Sequence, residues 1–471
     1  MTRFLPNLKC TPVCIVSMLM VGGCNLAPNH VAPEMPLPAE FKTTGPWRKA
    51  TPKDDQNRGA WWSLLGDSRL NQLMKQAEAG SPTLDAAVHR VTEAKALARA
   101  DRAGLFPTVN AGATAQRSRG TSTLQFQFAG GRTRTVLGST LDLDYELDLW
   151  GRVRNQNRAG IARAESVEAD YHSVLLSLQS EVAMNYFALQ AQDAEIALLR
   201  RTVALRKKTV DLARARFGQG DIAQIDVVQA ETELGETESE AIGLEQRRAE
   251  LEHAIALLLG LTPSAFDLPA MNLKGAPPSV PANVPSDLLE RRPDIATAER
   301  TMAGLNAEIG AARAALFPSV RIGLTGGRQT SFIEQITNAA SRVWGLGPAS
   351  VDWPVFDGGR RRAEVVASRA RYDEAAANYR LTVLTAITEV EDALSGLSVL
   401  ARQRKAQEAT VDSAQRALDL AQKRYDSGLV AYYEVLDAQR TLLRVEQEST
   451  RIQGQQFLSA VLLIKALGGG W

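Results

Sequence analysis

The chain has 471 residues, 45% of them hydrophobic, and 54 Lys plus Arg against 53 Asp plus Glu leave a formal net charge of +1. That apolar content supports a large packed core, and the charge balance provides no basic field to hold nucleic acid or an anionic membrane surface. The three cysteines, Cys10, Cys14 and Cys24, all fall at the start, so the rest of the chain has no disulfide and no thiolate metal site.

Residues 1–23 have the parts of a secretory signal: basic Arg3 and Lys9, an apolar run from Val13 to Val21, then small Gly22 and Gly23. The run is too short to span a bilayer comfortably, so it is set aside from the fold. Val21-Gly22-Gly23-Cys24 resembles a bacterial lipobox, in which cleavage exposes a cysteine for acylation; a plain signal peptide with a chance cysteine is the alternative. Asn25 stands where an Asp would signal inner-membrane retention, so the resemblance implies an outer-membrane lipoprotein anchored through Cys24. Six prolines between Pro28 and Pro52 make 24–60 an extended arm.

Leu141, Leu143, Tyr145, Leu147 and Leu149 alternate with Asp142, Asp144, Glu146 and Asp148, a period of two that predicts a strand with one apolar and one acidic face. Such a strand suits a wall between lipid and a water-filled barrel, or a soluble sheet over a core. From Ile161 to Phe217 there is neither Gly nor Pro, enough for about 85 Å of helix at ~1.5 Å per residue. Val174, Leu178 and Val182 are spaced in fours among frequent charges, which predicts coiled-coil packing and excludes a membrane helix. Gly220, in Arg216-Phe217-Gly218-Gln219-Gly220-Asp221, suits the left-handed residue that ends a helix, and a further helix resumes at Ile225 and Asp226. A Pro-rich linker follows at 265–285.

The second half repeats the first. Leu105-Phe106-Pro107 recurs as Leu316-Phe317-Pro318 at a displacement of 211, while Gly151-Arg152 matches Gly359-Arg360 and Leu259-Gly260 matches Leu467-Gly468 at 208. The three-residue difference falls in the strand hairpin. Val320, Ile322 and Leu324, then Ala349, Val351, Trp353 and Val355, supply the second pair of strands. The second turn is Arg424-Tyr425-Asp426-Ser427-Gly428-Leu429. Each half thus reads as helix, strand, loop, strand, long helix, turn, helix. Four strands cannot close a barrel in lipid, which tolerates no open sheet edge, so a membrane role requires several chains to share one.

Together the lipobox, Trp61-Trp62 followed by Leu70, Glu290-Arg291-Arg292-Pro293-Asp294-Ile295, the paired Leu-Phe-Pro motifs, the paired glycine turns and the Gly468-Gly469-Gly470-Trp471 end resemble the TolC-like outer-membrane efflux proteins, in their acylated NodT-type branch. The resemblance implies a mixed α and β membrane protein. It would be a homotrimer with a shared 12-stranded transmembrane β-barrel and a long 12-helix periplasmic α-barrel, each chain carrying two internal repeats at 61–264 and 286–471. It further implies an exit duct for drugs or other small molecules, working with a periplasmic adaptor and an inner-membrane pump, without cofactor or catalysis.

In the family, acidic residues after the second turn form the periplasmic gate, a motif that falls here on Glu434 and Asp437, three apart on one helix face. Arg424 and Tyr425 match positions that brace the closed tip, Asp226 is the first-half counterpart of Glu434, and Gly220 and Gly428 mark the turns where an adaptor would dock. Some relatives carry an arginine two residues after the tip glycine that locks the gate; this chain has Val430.

Two other readings compete. His30, His89, His172 and His253 lack metal-ligand spacing, and no Walker loop or nucleotide fingerprint occurs, which argues against an enzyme. A periplasmic coiled-coil scaffold or adaptor lipoprotein without a pore fits the helices and the anchor but not the duplicated strands.

Overall fold

The computed structural model describes residues 25–30, 59–119, 133–273, 275–278 and 292–469. The signal, Cys24, most of the arm, Glu290, Arg291, Gly470 and Trp471 lie outside the described residues. Seven helices and four strands are described in the order α1 (Ser68–Gly80), α2 (Pro82–Ala103), β1 (Thr108–Arg119), β2 (Thr133–Leu147), α3 (Arg152–Gln219), α4 (Gln224–Leu258), α5 (Pro293–Ala314), β3 (Ser319–Thr330), β4 (Arg342–Asp352), α6 (Arg360–Asp426) and α7 (Tyr432–Ala466). Among them no helix is long and apolar enough to cross a membrane.

The chain divides into two compact units. The first contains the strands, which form one antiparallel sheet in the order β1-β2-β3-β4, leaving β1 and β4 as edges. Register sorts the side chains onto two faces, because alternate residues of a strand point to opposite sides. One face carries Val109 opposite Leu143, Leu143 opposite Leu324, Tyr145 opposite Ile322 and Leu324 opposite Leu346. The other carries Thr108 opposite Asp144, Asn110 opposite Asp142, Asp142 opposite Thr325 and Glu146 opposite Arg321. Asp142 accepts from the Thr140 hydroxyl at 2.8 Å and the Thr325 hydroxyl at 2.7 Å. Among the described residues the apolar face has no cover: Val109, Leu141, Leu324, Trp344, Leu346 and Val351 are all exposed.

Both strand pairs end sooner than their alternation implies. β2 stops at Leu147, since Asp148 turns to cap α3, its carboxylate accepting the Val153 and Arg154 amides at 3.1 and 2.8 Å. β4 stops at Asp352, before Trp353, Pro354 and Val355, because proline has no amide for the ladder. Asp357 then caps α6 as Asp148 caps α3.

Residues 25–30 run antiparallel to α5 in this unit. Arg313 donates to the Leu26 carbonyl at 3.2 Å, Asn306 to the Pro28 carbonyl at 2.8 Å, and His30 meets Glu299 at 3.1 Å. Glu299, Asn306 and Arg313 are seven apart and therefore share a face of α5. Gly310 lies on the same track, where an added Cβ would stand 2.7 Å from that of Ala27.

The second unit is built on the long helices. Helix α3 has 68 residues, more than the Gly- and Pro-free stretch predicts because Gly160 and Gly218 are accommodated in it, and its repeat counterpart α6 has 67 and accommodates Gly396. Its main core gathers Trp61, Trp62, Leu70, Leu73 and Met74 against Leu178, Val182, Tyr186 and Phe187 of α3 and Phe457, Val461 and Ile464 of α7. Phe187 and Phe457 stack with ring centres 4.7 Å apart. Helix α1 is absent from the helix-strand scheme read from sequence; Asp67 caps it and also accepts from the Tyr186 hydroxyl at 2.7 Å, tying it to α3. Arg292 bridges Asp294, Glu389 at 2.6 Å and the Ala466 carbonyl at the end of α7, satisfying one of that helix's orphan acceptors.

Candidate functional site

The ends of α3 and α6 share one geometry. Gly220 and Gly428 adopt φ of +82° and +72°, values open to glycine without a Cβ clash. Gly220 and Asp221 donate back to the carbonyls of Phe217 and Arg216, and Gly428 and Leu429 to those of Tyr425 and Arg424, all at 2.9 to 3.0 Å. This paired pattern ends a helix in a single left-handed step and lets the chain reverse. Helix α4 then begins with Asp226 reaching back to the Ala223 amide at 3.3 Å, half of a capping box, since Ala223 has no side-chain acceptor of its own.

The two turns are held by a common core. Val210 and Ala213 of α3, Val227 and Ala230 of α4, and Tyr432, Val435 and Leu436 of α7 pack together, with Leu418, Ala421 and Tyr425 of α6 at the margin. Tyr425 and Tyr432 lie with ring centres 5.4 Å apart, and the Arg216 guanidinium sits 5.5 Å over the Tyr425 ring, a cation–π contact that joins the first hairpin to the second. Burial, reinforced by Tyr425, pushes the Tyr432 phenol up to about 12.

The structure brings together some of the residues expected to form a gate. Arg424 and Glu434 pair at 3.5 Å across the second turn, and Tyr425 joins the aromatic contact. Asp226 is half-buried and engaged in capping. Asp437 is exposed one turn after Glu434 and pairs with nothing among the described residues.

Three charged residues were not anticipated. Glu233 of α4 is 3% exposed and receives Arg206 of α3 at 2.9 Å and Arg440 of α7. Arg206, 8% exposed, donates also to the Glu233 carbonyl at 2.7 Å and to the Thr237 hydroxyl. Burial pulls the Arg206 guanidinium below its ordinary value and Glu233 opposes that pull. A charge-rich helical sequence conceals such burial, because these side chains read as a solvated face until the neighbouring helices are placed. No group of His, Cys, Asp and Glu able to hold a metal ion occurs among the described residues.

Comparison with known proteins agrees with both the sheet and the hairpins. The outer membrane efflux protein family model matches residues 73–261 and again 284–469. The chain is 34% identical over 473 residues to the outer membrane protein OprJ of Pseudomonas aeruginosa, covering 96% of this chain and 94% of that one. It is 32% identical over 477 residues to the toluene efflux pump outer membrane protein TtgI of Pseudomonas putida, covering 97% of each. Its fold resembles the solved outer-membrane channel OprN with a TM-score of 0.87 at 28% identity, over 95% of this chain and 100% of that one. The sheet with one apolar and one polar face, the long paired helices and these likenesses have one meaning: the chain belongs to the outer membrane efflux protein family and is an outer-membrane channel of an efflux system.

Proposed function

We propose that three copies of this chain assemble into one duct, sharing a twelve-stranded barrel in the outer membrane and a twelve-helix tunnel in the periplasm. The observation that carries the reading is the four-stranded sheet with an uncovered apolar face, a polar face and two unpaired edges. In hydrocarbon an unpaired edge costs several kcal/mol for each unsatisfied backbone group, so β1 of one copy must meet β4 of the next. A pore-free scaffold would have no use for such a sheet.

In this assembly 1–23 is the signal, 24–60 an arm acylated at Cys24, 61–264 and 286–471 are two repeats, and 265–285 links them. The two matched segments, 73–261 and 284–469, support that division, the second agreeing at both ends to within two residues and the first falling inside 61–264. Equal displacement also supports it: α2 and α5 are 211 apart at both ends, and α4 and α7 are 208 apart at both ends.

The tips make the periplasmic gate and the docking point for an adaptor joined to an inner-membrane pump, with small organic molecules as cargo. Threefold symmetry turns the unpaired, exposed Asp437 into a ring of three carboxylates, with Glu434 beside it restrained by Arg424. Such a ring favours cations and repels its own members at short range. In planar bilayers Asp437→Ala is expected to raise resting conductance and reduce cation selectivity. Unchanged conductance and selectivity in that variant contradict the gate assignment, and a wild-type protein that never conducts contradicts the duct.

A further inference from the structure

The buried charges behind the tip are not explained by the repeat. At a displacement of 208, Arg206 corresponds to Ala414, Glu233 to Thr441 and Arg440 to Thr232, so the second half packs an ordinary buried alanine where the first half buries a guanidinium. Burying a carboxylate is costly unless it is paired, and here it is paired from two directions. Arg206 belongs to the same hairpin as Glu233, whereas Arg440 comes from the other.

The two cations differ in exposure. Arg206 is 8% exposed and fixed by three acceptors, namely the Glu233 carboxylate, the Glu233 carbonyl and the Thr237 hydroxyl. Arg440 is 51% exposed, and the Glu233 carboxylate is its partner across the two helices. Departure of Arg440 would leave Glu233 neutralised by Arg206 inside the core, whereas Arg206 is held there by three acceptors and is not free to leave. Seven residues further along both helices, Gln447 donates to Glu240 at 2.8 Å, so α4 and α7 touch in the same register twice. The Glu233–Arg440 ion pair therefore spans the two hairpins, whereas Val430 has no charge to offer.

We infer that Glu233 and Arg440 form a detachable latch between α4 and α7 that holds the resting gate, with Arg206 as the standing counter-charge that lets Arg440 leave and return. All three are positioning residues: they act on the tip through the helices and do not line the ring of Asp437. The inference rests on the gated-duct reading and adds to it the element whose two arrangements the docked partners would bias.

The test compares wild type, Arg440→Ala, Arg440→Gln and Arg440→Lys as purified assemblies in planar bilayers, with Asp437→Ala alongside. Arg440→Ala and Arg440→Gln are expected to raise resting conductance several-fold without lowering the melting temperature of the assembly, and Arg440→Lys to restore part of the closure. Joining Glu240→Cys to Gln447→Cys with a short bis-maleimide in the Arg440→Gln background should return conductance to the wild-type level, which a purely structural role would not do; Gln serves here if the Ala variant fails to assemble. Resting conductance that stays at the wild-type level in Arg440→Gln while Asp437→Ala leaks overturns the latch and leaves the gate standing. Silence of every protein, wild type included, overturns the duct and the latch with it.

Discussion

Gly428 shows how far single residues were legible. Its place after Asp426-Ser427 marked a helix end, and the φ of +72° supplies the reason only glycine sits there comfortably. A Cβ at this position meets nothing within 4 Å, so Gly428→Ala carries only the backbone penalty of about 1–2 kcal/mol. Hydrogen exchange should therefore quicken around the second turn while the global melting point barely moves. Glu195 on α3 offers a pH test: burial, with Glu240 adding repulsion, raises its carboxyl above 4.5 in the folded chain. A carboxyl raised on folding binds more protons in the native state, so its contribution is most favourable below 4.5 and diminishes as pH rises through the folded value. Glu195→Gln is expected to stabilise the protein at neutral pH and to have little effect at pH 4, as read by denaturation at both. Arg206, Glu233 and Arg440 were illegible for the opposite reason to Gly428. Their meaning lies in which helices become neighbours, and 207 residues separate the last two in sequence.

The elements were legible where a period or an absence governs them. Lack of Gly and Pro foretells α3, the repeat extends that reading to α6, and alternation foretells the middle of β2; alternation fails at the strand ends, where Asp148 and Pro354 impose local chemistry. Helix α1 had its signal in plain sight, with Leu70, Leu73, Met74 and Ala77 at spacings of three and four after a capping Asp67. The two faces of β2 give the sharpest contrast. Leu143→Arg places a charge on the apolar face and is expected to cost about 2–4 kcal/mol in the membrane, enough to abolish assembled protein in outer-membrane fractions. Asp144→Asn, one residue away on the polar face, should assemble normally and alter ion selectivity alone. Loss of assembly in both variants would mean that the sheet has no lipid-facing side.

For the whole molecule, an acyl anchor at Cys24 and the shared barrel are separate attachments in the proposed assembly. Residues 25–30 are already fixed along α5 by Arg313, Asn306 and Glu299, so their course does not depend on acyl chains. Cys24→Ser with a conventional cleavage site should still yield outer-membrane trimers. The proposed closure of a four-stranded sheet by copies of itself needs both halves of the chain, since each supplies only two strands. Native mass and single-channel conductance should therefore be measured on one detergent-purified sample. Three chains per particle, with cation-selective conductance from that same particle, is the result expected; a monomer that never conducts would contradict it.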